Sequence, residues 1–322
     1  MELLFYIEAS SDIGHGHVMR CAALAQTAQV RGLKTGFIGA NRYTENLIGK
    51  LKLPHIKNKT SCAEIVIIDY HSSVDPSMVL SLKAQGSTVA LLDQKGVARM
   101  VADVVCDALT SPDMLSQLPQ SAHTKYLYGL DFALLRSQFK DAHATARPGQ
   151  STQPRLMVAM GGVDQHLVAP RLAAALAAQG FTGPATFVVE NSTATTVHQQ
   201  AACWKNTWIL SDIEDMALQM RQCDLLITKI GGLTLESFCV GLGAVMIEPS
   251  LAHVALSNSL AEIYEDWPAR SLGLATEVNM DIVAHEVITL LSDRYLLAKM
   301  GQRGSELIDG KGCDRLLDEL TK

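Results

Sequence analysis

The chain has 322 residues, 48% of them hydrophobic, and its 27 basic and 33 acidic side chains leave a formal charge of −6. That length suits two ordinary domains, and the absence of any basic block argues against a nucleic-acid partner. No apolar run of about eighteen residues occurs and Met1-Glu2-Leu3-Leu4 is not a basic leader, so a cytoplasmic protein without a membrane partner is expected.

Leu3 to Ile7 predicts a strand, Gly14 and Gly16 a turn, and the alanine-rich segment behind them a helix that Gly32 ends. In an open α/β sheet, ligands collect where strands end and helices begin, and the helix amides favour an anion there. Phosphate or diphosphate is the first ligand to consider, although a Gly-x-Gly corner also serves simply to turn the chain. His17 stands at the helix start, where the positive end of the dipole disfavours an imidazolium and leaves a neutral ring able to accept a proton. A capping or structural histidine is the other reading of the same residue.

Ile13-Gly14-His15-Gly16-His17-Val18-Met19-Arg20-Cys21, with Leu24-Ala25 behind it, resembles a known signature. It is similar to the Ile-Gly-x-Gly-His-x-x-Arg-Cys of the UDP-sugar hydrolases of pseudaminic acid biosynthesis. These belong to a wider group with the two-domain glycosyltransferase-B architecture. The resemblance implies that His17 is the base activating water, and that the sugar is a diacetamido-trideoxyhexose on the route to a nonulosonic acid.

Further along, Lys34 to Ile38 predicts a strand and Arg42 to Lys50 a helix. Ile65-Val66-Ile67-Ile68-Asp69 is a β-branched run whose carboxyl end delivers Asp69, Tyr70 and His71 to the ligand edge. Asp75 and Pro76 start a helix to Gln85, and Thr88 to Leu92 is a strand ending at Asp93. Both aspartates suit ligand contact, and equally a cap or turn. The resembling family has a second carboxylate after Asp93, where this chain has Gln94. Tyr126 to Phe139, with Gly129 and Leu134-Leu135-Arg136, resembles the segment that precedes the family's interdomain linker. The aperiodic Ala142 to Pro154 reads as that linker.

The second half repeats the alternation. Leu156 to Met160 is a strand, Gly161-Gly162-Val163-Asp164 a turn, and Val168 to Gln179 a helix. Ala185 to Val189 and Trp208 to Leu210 add strands, and Asp212 caps a helix over Ile213 to Gln222. Asp224 to Glu236 runs from a buried strand into Gly231-Gly232 and a new helix near Thr234. Its free amides suit a diphosphate, with the Thr234 hydroxyl beside them and Glu236 ready to accept from ribose hydroxyls. An ordinary strand-to-helix turn with an acidic first turn is the alternative. The glycosyltransferase-B group has Gly-Gly-Ser/Thr-x-x-Glu here, matched by Gly231, Gly232 and Glu236, with Leu233 in place of the usual Ser. Lys229 is open between phosphate and solvent. After a strand at Val245 to Pro249 the group's Asn-Gln is missing, and His253, Ser257 and Asn258 occupy that region. Met280 to Leu291 and Asp293 to Leu307 predict amphipathic packing helices.

Seven cysteines, scattered and never spaced C-x-x-C, suggest neither disulfides nor a zinc site, and no D-x-D pattern appears. No metal or cofactor is expected. The expected fold is α/β, two Rossmann-like doubly wound domains facing a central cleft, GT-B-like, over 1–141 and 155–322 with a linker at 142–154. The expected reaction is metal-independent, inverting attack of water on the anomeric carbon of a UDP-sugar. His17 is the catalytic candidate, and Gly14, Gly16, Arg20, Asp69, Tyr70, Asp93, Gly161, Gly162 and Asn258 are the substrate-binding candidates. The nucleotide-binding candidates are Gly231, Gly232, Leu233, Thr234 and Glu236. Tyr6 and Glu8 stand where the hydrolases show Arg and Asp, which keeps a glycosyltransferase, and a non-catalytic nucleotide-sugar-binding protein, as rivals.

Overall fold

The structure, a computed structural model, describes residues 2–10, 15–56, 63–110, 112–145, 153–202 and 204–322. Gly14, Cys62, Cys203 and most of the expected linker lie outside those residues. The chain forms two compact units, one of Met1–Ser137 with Gly310–Lys322, the other of Gln138–Asp309. Among the described residues no helix is long and apolar enough to cross a membrane.

In the first unit β1 (Glu2–Ile7), α1 (Gly16–Val30), β2 (Lys34–Gly39) and α2 (Arg42–Lys50) come first. Then come β3 (Ile65–Asp69), α3 (Pro76–Ala84) and β4 (Thr88–Leu92), all close to the predicted bounds. β5 (Val104–Asp107), α4 (Pro112–Gln117) and β6 (Lys125–Tyr128) continue the sheet unannounced, and α5 (Ser137–His143) follows. Local chemistry starts the helices: Asp75 accepts from the Ser77 amide at 2.8 Å ahead of Pro76, as read, and Asn41, not singled out in the sequence, accepts from the Thr44 amide at 2.9 Å.

All strands of this sheet are parallel, in the order β2-β1-β3-β4-β5-β6. An isolated parallel bridge from His55 to Phe37 lies at the β2 edge. Leu3, Phe5 and Ile7 of β1 face one core with α1 and α2, while Leu4 and Tyr6 face a second core with Val79 of α3. Burial on both faces is why these strands read as unbroken apolar runs.

The second unit holds β7 (Leu156–Ala159), α6 (Val168–Ala178), β8 (Ala185–Val188), α7 (Asn191–Gln200) and β9 (Thr207–Leu210). It continues with α8 (Met216–Arg221), β10 (Leu225–Thr228), α9 (Gly232–Cys239), β11 (Ala244–Glu248) and α10 (Leu251–Ile263). β12 (Ala269–Leu274), α11 (Met280–Ser292) and α12 (Arg294–Leu307) complete it. Its parallel order, β12-β11-β10-β7-β8-β9, is that of dinucleotide-binding sheets. Asp212 does not cap α8: at φ +51° it turns the chain, and Asp215 accepts from the Leu218 amide at 2.9 Å instead.

The last helix, α13 (Gly312–Leu320), corrects the expected extent of the second domain. Cys313, Leu316, Leu317 and Leu320 join the first unit's core, and Arg31 binds Asp314 at 2.7 Å and Asp318 at 2.6 Å. Gly312 lies so close to the 130–133 turn that a Cβ there would stand 2.2 Å from the Ala133 carbonyl oxygen. Gly312→Ala is therefore expected to destabilise the first unit by about 3 kcal/mol, through overpacking against backbone. An unchanged denaturant midpoint would mean that α13 is not docked there.

Each sheet has one place where the strand order reverses. In the first unit it lies between β1 and β3, in the second between β7 and β10. Ligands of open α/β sheets bind at the carboxyl ends of such strand pairs.

Candidate active site

In the first unit, β1 pairs with β3 so that Ile7 lies beside Asp69, and α1 begins over the same edge. Asp69 is 0% exposed. Its Oδ1 lies 2.6 Å from His17 Nδ1 and 2.5 Å from Arg20 Nη2, and its Oδ2 accepts from Arg20 Nε at 2.5 Å and from the Cys21 thiol at 3.4 Å. Burial opposes the Asp69 charge, but the adjoining Arg20 and His17 outweigh it and hold the carboxyl well below the usual carboxylate range. Burial likewise works against the Arg20 cation, and Asp69 with Asp93 holds it well above its ordinary value.

An ionised carboxylate is only an acceptor, so at 2.6 Å it accepts from His17 Nδ1, which Arg20 Nη2 also approaches at 3.0 Å. With the hydrogen on Nδ1, an uncharged ring has its lone pair on Nε2, the arrangement of a base held by a carboxylate. The His17 side chain is 18% exposed, and the ring of His71 stands edge-on to it with centroids 6.0 Å apart.

This geometry changes the roles read for two residues. Asp69, assigned to substrate, has no solvent access and instead orients His17. Arg20, also assigned to substrate, spends Nε and Nη2 on Asp69 and Nη1 on Asp93, because its position one helical turn after His17 puts it over both strand ends. Asp93 keeps 34% of its side chain exposed at a residue with φ +49°. Tyr70 leans on the second core with Val74, and burial pushes its phenol up to about 12. Gly16 has open space where a Cβ would stand.

Gln94, where the resembling family has a carboxylate, is a loop tie that sequence reasoning missed. Its amide donates to the carbonyls of Tyr70 and Ser72 while its oxygen accepts from the Val74 amide at 3.1 Å. A carboxylate cannot donate to those carbonyls. Gln94→Glu is expected to cost about 2–3 kcal/mol by leaving them unpaired around a buried charge, read as a lowered denaturant midpoint. Glu8 secures the same loop from β1, accepting from the Ser72 amide at 2.9 Å and hydroxyl at 2.8 Å.

In the second unit, β10 runs into Gly231 at φ +149°, a conformation that favours glycine, and α9 starts at Gly232. A Cβ on either glycine would meet nothing within 4 Å, so the approach to the first amides of α9 is open. Those amides have no intrahelical partners. Leu233 is half-buried in the first turn, and Glu236 is buried at 8% exposure. Thr234 is a correction: it is fully buried and its hydroxyl donates to the Lys229 carbonyl at 2.8 Å, so it anchors the turn rather than reaching a ligand.

Glu248, at the end of β11, went unread although it ends an apolar strand as Asp69 does. It is fully buried and accepts from the Ile230 amide at 3.1 Å and from the Ser257 hydroxyl, which braces the glycine turn. Burial pushes its carboxyl up, with Ser257 and Ile230 opposing. Gly161, at φ +87°, and Gly162 form the turn after β7 at the same edge. Asn258 is exposed on α10, and Ser250 Oγ lies 2.7 Å from His253 Nδ1 at that helix's start. Among the described residues no group of three or more His, Cys, Asp or Glu is placed to hold a metal ion.

No protein-family model matches the chain. It is 22% identical over 338 residues to the spore coat polysaccharide biosynthesis protein SpsG of Bacillus subtilis (strain 168), covering 98% of this chain and 96% of that protein. The crystal structure of Acinetobacter baumannii MurG superposes with a TM-score of 0.68 at 18% identity, covering 99% of both chains. Staphylococcus aureus MnaA in complex with UDP gives a TM-score of 0.67 at 9% identity, over 99% of this chain and 96% of that one. These likenesses establish the fold as glycosyltransferase-B-like, in agreement with the expected class.

Proposed function

We propose that the chain hydrolyses a UDP-activated amino sugar at its anomeric carbon, releasing UDP and the free sugar. The observation that carries this reading is the His17–Asp69 pair at 2.6 Å, with the His17 side chain 18% exposed at the strand-reversal edge of the first unit. His17 Nε2 takes a proton from water as the water oxygen bonds to the anomeric carbon. The bond from that carbon to the phosphate oxygen breaks, and its electron pair leaves with UDP. Asp69 holds the ring and offsets its new charge; in the second unit, the free amides of Gly232 and Leu233 suit a diphosphate. Glu236 takes the ribose hydroxyls.

Direct attack by water inverts the configuration at the anomeric carbon. The likeness of the fold to a protein crystallised with UDP, and of the sequence to one of polysaccharide biosynthesis, supports a nucleotide sugar as substrate. The resemblance around His17 supports a diacetamido-trideoxyhexose, destined for a nonulosonic acid, as the sugar.

A panel of UDP-sugars, scored for released UDP and for free sugar by NMR, tests the reading. Equal amounts of both products with one amino sugar, and inverted configuration at first appearance, are expected. UDP release that requires an added acceptor alcohol would replace hydrolysis by transfer, and UDP binding without turnover of any sugar would replace catalysis by binding.

A further inference from the structure

Lys229 follows the last residue of β10, and its side chain links the two glycine turns of the second unit's strand-reversal edge. Its carbonyl is fixed to the first turn of α9 by the Thr234 hydroxyl at 2.8 Å, while its stem crosses to the β7 turn. There Nζ donates to the Val163 carbonyl at 3.2 Å, and a Cβ on Gly161 would meet Lys229 Cε at 3.6 Å and Nζ at 3.9 Å.

The ammonium is half-buried, and both acidic neighbours are committed elsewhere. Asp164 accepts from the Val168 and Ala169 amides at 2.9 Å each, and Glu248 accepts from Ile230 and Ser257. They act on Lys229 only through space, and burial lowers its pKa against them. An ammonium has three donors, of which a neutral carbonyl takes one. A buried cation in that position is costly until an anion joins it.

We propose that Lys229 is the cationic contact for the diphosphate of the bound nucleotide, donating its unspent hydrogens to phosphate oxygens over the Gly161 and Gly231 turns. This rests on the nucleotide reading above and adds a charge-specific binding residue to it. The lysine just after β10 thereby discriminates between a nucleoside diphosphate and an uncharged nucleoside, which amides and a ribose-binding carboxylate alone do only weakly.

Calorimetric titration of the full chain with UDP, uridine and inorganic pyrophosphate, for the wild type and for Lys229→Met, tests it. UDP affinity is expected to fall about 10–100-fold in Lys229→Met, pyrophosphate binding to vanish and uridine binding to stay unchanged. Unchanged UDP affinity in a folded Lys229→Met overturns the proposal. If that variant does not melt cooperatively, Lys229→Gln, which keeps a donor for the Val163 carbonyl without the charge, decides by the same criterion. A wild type that binds pyrophosphate through Lys229 but ignores uridine sinks the uridine-nucleotide reading and leaves the lysine's role standing. A wild type that binds none of the three overturns both.

Discussion

His17→Ala is expected to lower UDP release from the preferred UDP-sugar by about 10²–10⁴-fold, the contribution of one positioned general base. UDP affinity is expected to stay the same, because the candidate nucleotide contacts Gly231, Gly232 and Glu236 all belong to the second unit. The loss should therefore fall on kcat rather than on KM. A variant that retains most of its turnover would remove His17 from the chemistry, and one that loses UDP binding in proportion would recast it as a binding group. Stopped-flow detection of UDP together with calorimetry separates these outcomes.

Asp69→Asn is expected to damage stability and turnover together. It leaves the Arg20 guanidinium without the carboxylate that takes both its Nε and Nη2, at a cost of about 3–5 kcal/mol. It also removes the anion that selects the Nδ1–H tautomer of His17, with an expected loss of turnover on the order of 10³-fold. The pH dependence has a definite sign. The folded Asp69 carboxyl lies below its ordinary value, so its contribution is complete above about pH 4 and fades as pH falls towards that lowered value. The stability gap between the wild type and Asp69→Asn should accordingly narrow below about pH 4. A gap that is constant down to pH 2, or absent at pH 7, would contradict the pairing.

The contrast between Asp69 and Thr234 shows what can be read from a linear chain. A β-branched run ending in Asp marks a strand that delivers a carboxylate to a sheet edge, and it did so within the predicted bounds. Whether that carboxylate meets substrate or a histidine depends on a partner 52 positions earlier, brought there by the β1–β3 register. Thr234 stands in a sequence context that suits phosphate, yet its hydroxyl turns inward and donates to the Lys229 carbonyl. Gln94 departs from the pattern of a family it resembles, and the reason becomes visible only beside the Tyr70 and Ser72 carbonyls.

By itself the amino-acid order determined the alternation of strand and helix, the helix starts at Gly16 and Asp75, and the strand–glycine–helix turn at Gly231. Those features depend on periodicity, capping and backbone freedom, which act over a few residues. The tertiary structure alone decided that α13 returns to the first unit, that Arg20 clamps Asp69 and Asp93, and that Glu248 braces the turn beside Lys229. The physical reason is that burial and pairing are settled between segments distant in the chain, where strand order and register choose the neighbours.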